Sequence, residues 1–321
     1  VGNTSKDIGQ SEHRADESPD RVVIAIPTYR RAQSLRRLLA AIETLDTAAD
    51  IRVVVTDNEG EAGSGFAVVS ELADHYRFPL VAIAAPQKGL ANVRNVMVRY
   101  ARHTQDLDYL AMIDDDERPS PAWISALIDM QKRTGCNIVG GPTEPVFEPG
   151  TAEWPNYCPL FWSGRFDDGV IDMNWGTCNV LFHRRALELT PEDLFDPIFN
   201  ELGGEDVDAF MRLKSLGCRF AWTNAAIVFD DIPSTRTTLG WITKRAFRIG
   251  NSNMLAQLRW KYGRFAYAKA LIATLAGLLI HTALLLLSMG SARKRVENYC
   301  VWVRTTGKLA FLLGRSHNEY R

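Results

Sequence analysis

The sequence has 321 residues, 46% hydrophobic and 23% charged, which is material for one large α/β domain with an appendage. A net charge of −1 gives no sign of a nucleic-acid partner. The five cysteines are odd in number and have no close metal-ligand spacing, so the sequence offers neither a disulfide framework nor a zinc site and fits a reducing cytosol.

In chain order, residues 1–20 are polar and lack an apolar core segment, so they read as a disordered N-terminal segment and not a secretory signal. Val22 to Ile26 is a continuous apolar, β-rich run, the pattern of a strand buried on both faces. Leu35, Leu38, Leu39 and Ile42 then recur at helical spacing. Strands follow at Ile51 to Thr56, Leu80 to Ala84 and Tyr109 to Ile113, with helices between them near Phe66 to His75 and Leu90 to His103. A helix over Pro121 to Thr134 and a short strand at Asn137 to Val139 close this half. The alternation predicts a mainly parallel sheet with helices on both faces.

Pro142 to Asp172 is rich in Pro, Gly and aromatics and reads as irregular loop. Beyond it come a strand-like stretch at Trp175 to Phe182, a helix at Glu205 to Leu216, and short strands at Phe220 to Trp222 and Ile227 to Phe229. The tail differs from the body. From Gly240 onward there are 14 Lys/Arg against 2 Asp/Glu, whereas the residues before carry 23 against 36. The tail also holds Ala270 to Met289, 20 residues without Asp, Glu, Lys or Arg. That length meets the minimum for a membrane span, and basic charge beside it fits an anionic lipid surface. The segment spans, lies in the interface, or packs as a hairpin with Val301 to Leu313; a buried core helix is the plainer alternative. Basic residues on both flanks give no orientation.

Three polar clusters sit at strand ends: Pro27-Thr28-Tyr29-Arg30, Asp57-Asn58-Glu59 and Asp114-Asp115-Asp116-Glu117. Ligands of open α/β sheets bind beyond the carboxyl ends of the strands, so one crevice collects all three. Four adjacent carboxylates repel unless a cation joins them. If the strand continues past Ile113, Asp114 and Asp116 share a side, and Asp115 points away. Two hard oxygen donors so placed suit Mg²⁺ or Mn²⁺ on a diphosphate. Alone, the run is better read as a solvated acidic turn; its place after the fourth strand reverses that reading. Gly203-Gly204-Glu205-Asp206 opens a helix, where acids commonly serve as simple caps. Its functional reading makes Asp206 a general base for a hydroxyl nucleophile.

Ile24 to Arg30, Val55-Thr56-Asp57-Asn58, Gly89 to Asn95, Ile113 to Glu117 and Gly204-Glu205-Asp206 occur in the order and spacing of family 2 glycosyltransferases, which the sequence resembles over roughly Arg21 to Gly250. The likeness is greatest to bacterial exopolysaccharide enzymes of the succinoglycan type. It implies a GT-A fold over residues 21–250, with a Rossmann-like, mainly parallel mixed sheet flanked by helices, and a basic, apolar helical membrane-associating region at 251–321. It further implies that Pro27, Thr28 and Tyr29 cradle the nucleoside, that Asp57 binds the base, and that Arg94 lies near the donor. By the same resemblance Asp114 and Asp115 belong to the donor site, Asp116 ligates a divalent metal, and Asp206 is the base of an inverting transfer. Trp175, Glu205, Arg245 and Arg248 fall on the acceptor side, and Asp230 or Asp231 is the candidate third metal ligand. The implied reaction moves a hexose, with glucose as the first candidate, from a UDP-sugar to a lipid-linked saccharide in bacterial polysaccharide biosynthesis at the cytoplasmic face of the inner membrane. The processive Gln-x-x-Arg-Trp motif is absent from the sequence, so one sugar is expected per encounter. Two other readings stand beside it. A nucleotidyltransferase would carry a Gly-rich basic loop after the first strand, where Pro27-Thr28-Tyr29-Arg30 stands. An inert membrane-bound assembly subunit would have no use for a cluster of repelling acids.

Overall fold

The computed structural model describes residues 18–162, 166–174, 176–261 and 263–315. Of the segment 1–20 expected to be disordered, residues 1–17 lie outside these described residues, as does Trp175 with its expected role, while Asp20 is held by the Asp50 N–H at 2.9 Å and by Lys132 at 2.7 Å. Strands β1 (Arg21–Thr28), β2 (Asp50–Asp57), β3 (Leu80–Ala84) and β4 (Tyr109–Met112) lie in the order β3-β2-β1-β4, all parallel. Helices α1 (Ala32–Ile42), α2 (Ser64–Leu72) and α3 (Leu90–His103) link them. The apolar run in β1 is buried on both faces as its composition demands. Val22, Ile24 and Ile26 pack with Leu35, Leu38 and Leu39 of α1, while Val23 and Ala25 pack with Val93, Met97 and Val98 of α3.

The rest of the main sheet brings in the antiparallel strands of the mixed, mainly parallel sheet that the resemblance implies. Beside β4 come β9 (Val180–His183), β6 (Ile138–Gly140), β10 (Phe220–Trp222) and β8 (Gly169–Ile171). β9 runs antiparallel to both β4 and β6, β10 runs parallel to β6, and β8 is antiparallel to β10. The sheet is therefore mixed, with its parallel half forming the floor beneath the three polar clusters. Helices α4 (Trp123–Thr134), α5 (Arg184–Leu189), α6 (Phe199–Leu202) and α7 (Glu205–Ser215) complete this body.

A second, three-stranded sheet has β11 (Val228–Ile232) between β5 (Glu117–Pro119) and β7 (Thr143–Phe147). The stretch expected to be irregular thus contributes β7, β8 and a 3₁₀ turn at Trp154–Tyr157. This small sheet changes the geometry of the acidic run. β4 ends at Met112, opposite Val180 where its antiparallel partner β9 begins, and Glu117 already belongs to β5. Asp114 to Asp116 therefore form a turn between two sheets, and strand alternation does not set their directions.

The chain ends in α8 (Leu239–Trp260), α9 (Ala266–Leu287) and α10 (Ala292–Leu312). α8 runs unbroken through residue 250, where the sequence reading closes the catalytic region. α8 and α10 meet at Gly250 and Gly307. A side chain at Gly250 would collide with the Arg304 carbonyl, one at Gly307 with the Phe247 carbonyl, and Asn251 Nδ2 donates to the Gly307 carbonyl at 2.7 Å. Gly250→Ala is expected to push α10 away from α8 and cost about 1–3 kcal/mol by overpacking. Urea denaturation measures this, and an unchanged midpoint would mean that the contact does not hold the helices. α9 leans on α10, with Trp302 Nε1 donating to Thr282 Oγ1 at 3.0 Å. The segment Ala266–Gly290 is long and apolar enough to cross a membrane, with only 11% of its apolar window buried. It is not a buried core helix, and it forms the hairpin with α10 that the sequence left as one option.

Candidate active site

The carboxyl ends of β1, β2 and β4 bring the three polar clusters together, as the sheet topology requires. At the end of β1, Pro27 and Thr28 are buried and Tyr29 is exposed. Thr28 Oγ1 donates to Asp115 Oδ2 at 2.8 Å. At the end of β2, Asp57 is fully buried; its carboxylate accepts from the backbone N–H of Glu59 at 2.8 Å and of Gly65 at 2.6 Å. Gly63 and Gly65 are needed there because a side chain at either would strike the Asp57 carboxylate. Asp57 thus shapes the β2–α2 turn. Asn58 fastens the neighbouring loop, donating to the carbonyls of Ala85 and Gln87 and accepting from the N–H of Gly89.

The acidic turn separates its four carboxylates by partner. Asp114 faces Arg94 at 3.3 Å. Asp115 does not point away as strand pleating would have it: it is buried under Thr28 and takes a hydrogen bond of 3.0 Å from Arg31. Burial pushes its carboxyl up to about 6 against the opposing charge of Arg31. Asp116 receives Arg31 at 2.8 Å and Arg236 at 3.3 Å. Glu117 is buried and accepts the Asp114 N–H at 2.9 Å. Burial, then Asp114 and Asp230, push it well above the usual carboxylate range, so its role is to hold the turn.

β11 adds a group that the sequence left open between two residues. Strand alternation sends Asp230 and Asp231 to opposite sides. Asp231 pairs with Arg118 at 2.8 Å and Arg37 at 3.7 Å. Asp230 instead faces the acids. Its Oδ1 is buried without a hydrogen-bond partner among the described residues, and burial followed by Asp116 pushes its carboxyl up to about 7. A buried, unpaired carboxylate oxygen beside two more carboxylates is a set of hard oxygen donors that fits a divalent cation. No group of three such side chains stands preassembled among the described residues, so phosphate oxygens would have to complete the shell.

α7 brings the second half of the site. Gly203 and Gly204, at φ +68° and +87°, turn the chain sharply into the helix. Arg248 of α8 stands directly behind Gly203, and the Ser252 side chain behind Gly204. Glu205 is buried in an ion pair with Arg94. Arg94, 111 residues before Glu205 in sequence, therefore clamps the start of α7 to the acidic turn, and a donor contact through this buried guanidinium would require it to leave those partners. Asn95 reinforces the clamp by exchanging two hydrogen bonds, at 2.7 and 2.8 Å, with the backbone of Phe195. Arg94→Met should strand the buried carboxylate of Glu205 and leave half-buried Asp114 without its cation, costing about 3–5 kcal/mol, read by chemical denaturation; a loss below 1 kcal/mol would show that the clamp contributes little. Asp206, next in line, is half-buried and accepts only the Val207 N–H, at 2.8 Å, among the described residues. Burial and then Glu205 push its carboxyl up to about 7, with Arg94 opposing. Arg245 lies over the Trp241 ring at 6.0 Å, one turn along α8 from Arg248.

Arg31 was missed in the sequence. Its signal was the doubled arginine after Tyr29, but the contact with Asp115 and Asp116 spans more than 80 residues.

A parallel half-sheet, an acidic turn at its edge and a half-buried acid on a facing helix form a GT-A-like mixed α/β fold, and with the family match below they place the chain among sugar-nucleotide-dependent glycosyltransferases. Residues 23–189 match the Glycosyl transferase family 2 profile, and the chain belongs to that family. It is similar to the succinoglycan biosynthesis protein ExoM of Rhizobium meliloti (strain 1021), with 29% identity over 282 residues, covering 85% of this chain and 87% of that protein. Among solved structures, the mannosyltransferase PcManGT from Pyrobaculum calidifontis, in complex with GDP-Man and Mn²⁺, superposes with a TM-score of 0.56 at 19% identity over 92% of this chain and 90% of that one. TarS of S. aureus superposes with a TM-score of 0.51 at 13% identity; this chain covers 56% of its length, and 94% of this chain is covered. These two likenesses show the shared fold.

Proposed function

We propose that the chain is an inverting hexosyltransferase that uses a UDP-sugar, with glucose as the first candidate, and Asp206 as the general base. The observation that carries this is Asp206 itself: an acid at the mouth of a helix, pushed to about 7 by burial and Glu205, and tied through Glu205 and Arg94 to the acidic turn. An acceptor hydroxyl oxygen attacks the anomeric carbon while its proton passes to an Asp206 carboxylate oxygen. The bond from that carbon to the phosphate oxygen breaks, and the nucleoside diphosphate departs. Direct attack by a single base inverts the anomeric centre.

Pro27, Thr28 and Tyr29 line the nucleoside side in this reading, with Asp57 and Asp115 shaping its floor. Asp116 and Asp230 would hold a Mg²⁺ or Mn²⁺, and Asp114 would meet the ribose or sugar. Such a cation supplies Lewis-acid neutralisation of the diphosphate. Arg31 and Arg236, now on Asp116, stand ready to turn to the phosphates. Arg245 and Arg248 of α8 border the acceptor side. The similarity to a succinoglycan biosynthesis protein supports a saccharide acceptor in bacterial polysaccharide assembly. The apolar outer face of α9, between basic flanks, supports a lipid-linked acceptor presented at the cytoplasmic face of the membrane. Residues 21–250 would then be the catalytic unit and 251–321 the membrane-associating one. A panel of UDP- and GDP-sugars, scored by metal-dependent nucleotide release, tests the donor assignment: release from UDP-hexoses is expected, and preference for a GDP-sugar would overturn it.

A further inference from the structure

The few polar side chains in the apolar stretch of α9 face the protein or bond to it. Thr274 is buried and His281 half-buried. Thr282 Oγ1 donates to the Leu278 carbonyl at 2.7 Å and accepts from Trp302 Nε1 of α10. The outward surface is apolar: Ile272, Leu279, Leu286 and Leu287 are each 68–82% exposed. An apolar surface of that length marks a contact with another apolar phase. Exposed basic residues stand at both ends, Arg264 and Lys269 before the stretch and Arg293, Lys294 and Arg295 after it. Phe265 and Tyr267, also exposed, add aromatic rings at its start. Apolar length, aromatic rings and flanking cations match an anionic bilayer.

The packing behind α9 decides how it meets that bilayer. α9 runs antiparallel along α10 for its whole length. Ala270 packs with Leu312, Gly277 faces Thr305, and the Leu284 carbonyl accepts from Asn298 Nδ2 at 3.3 Å. α10 is fixed along α8 in turn, through Thr243 and Tyr299 at 2.8 Å, the Gly250–Gly307 contact, and Gln257 and Lys308 at 3.5 Å. α8 holds α7: Arg248 and Ser252 back Gly203 and Gly204, and Trp260 Nε1 donates to Asp208 at 2.8 Å. If α9 stood across the bilayer, α10 and α8 would have to enter with it. They would carry Lys244, Arg245, Arg248, Arg259, Arg304 and Lys308 to membrane depth, where charged groups are expensive. With α9 lying flat, those helices stay on the aqueous side.

We propose that α9 is an in-plane membrane anchor, lying along the headgroup–acyl boundary of an anionic bilayer with both ends on the same side. The inference rests on the membrane-associating reading of the tail and deepens it. It accounts for basic residues at both ends of the helix, since both ends meet the same layer of lipid phosphates. The stack of α9, α10, α8 and α7 then holds Asp206 at a fixed height above the surface, as a lipid-linked acceptor requires.

The test uses the full chain with vesicles of phosphatidylcholine and phosphatidylglycerol. A fluorophore is attached to Ile272→Cys, Leu279→Cys or Leu286→Cys, three exposed positions on one stripe of α9. It is quenched by nitroxides set shallow or deep on the lipid chains. The wild type, whose cysteines are buried or half-buried, gives the labelling blank. Equal quenching at all three positions, strongest from the shallow nitroxide, is expected. An upright helix would rise about 21 Å from Ile272 to Leu286. Deep quenching at 279 with shallow quenching at 272 and 286 would therefore show a span and overturn the in-plane anchor. Binding to the vesicles would survive that result. No vesicle binding would overturn the membrane reading itself. Absent quenching together with a dimer in sedimentation would assign the face to a second copy of the chain. The wild type keeps the test independent of the substitutions. A phospholipid with a diazirine near its glycerol should photolabel α9 along its length, more than one with the diazirine at the chain end. The reverse order would overturn the proposal.

Discussion

Asp206→Asn is expected to lower sugar transfer by about 10²–10⁴-fold, the range for loss of a positioned general base, while nucleotide affinity stays within a few-fold. Among the described residues the acid accepts one backbone N–H and makes no ion pair, so the amide fits the same space. Rapid-quench kinetics beside calorimetric titration of UDP separates the two quantities. Its pH behaviour follows from its environment. Burial and Glu205 hold the carboxyl at about 7, and a base works ionised, so the wild-type rate should climb as pH rises toward about 7 and then level. Stability runs the other way. Between the ordinary carboxylate range and about 7 the folded chain keeps a proton that the unfolded chain has lost, so folding weakens as pH rises through that window. Asp206→Asn should flatten both dependences. A full rate in the variant would remove Asp206 from the reaction.

Asp116→Ala should remove metal dependence from donor binding and lower transfer by about 10³-fold, since Lewis-acid charge on a leaving diphosphate is worth several kcal/mol. Arg31 and Arg236 would both lose their shared carboxylate. Asp230→Asn separates metal holding from stability. In metal-free buffer it should stabilise the fold by about 1 kcal/mol or more, because the unpaired buried Oδ1 of a charged group is replaced by a neutral amide. It should also lose the rise in melting temperature that Mn²⁺ with UDP is expected to give the wild type. A rise equal to wild type in the Asp230 variant would place the metal elsewhere.

What the sequence revealed and what it hid follow from the range of the interactions. β1 and α1 were readable because burial on two faces and a helical stripe leave local apolar patterns, and the structure buries the same residues. The three strand-end clusters were readable because a parallel sheet delivers its carboxyl ends to one edge. The small sheet was not. Glu117–Pro119 is three residues with two charges, and it becomes a strand only through β11, more than 100 residues away. That hidden pairing also explains why Asp115 turned inward, against strand alternation. Arg94 carried a motif signal for the donor, but its role as a clamp between Glu205 and Asp114 required the fold. The same holds for the antiparallel β9, whose sequence says strand without saying which way it runs.

The most direct test of the account is the anomeric configuration of the product. UDP-glucose carries its sugar in the α configuration, and a single displacement with Asp206 as base must deliver a β-linked product. Proton NMR of the product formed from labelled UDP-glucose on a lipid-linked saccharide should show a β anomeric doublet; an α-linked product would contradict direct attack and the role given to Asp206.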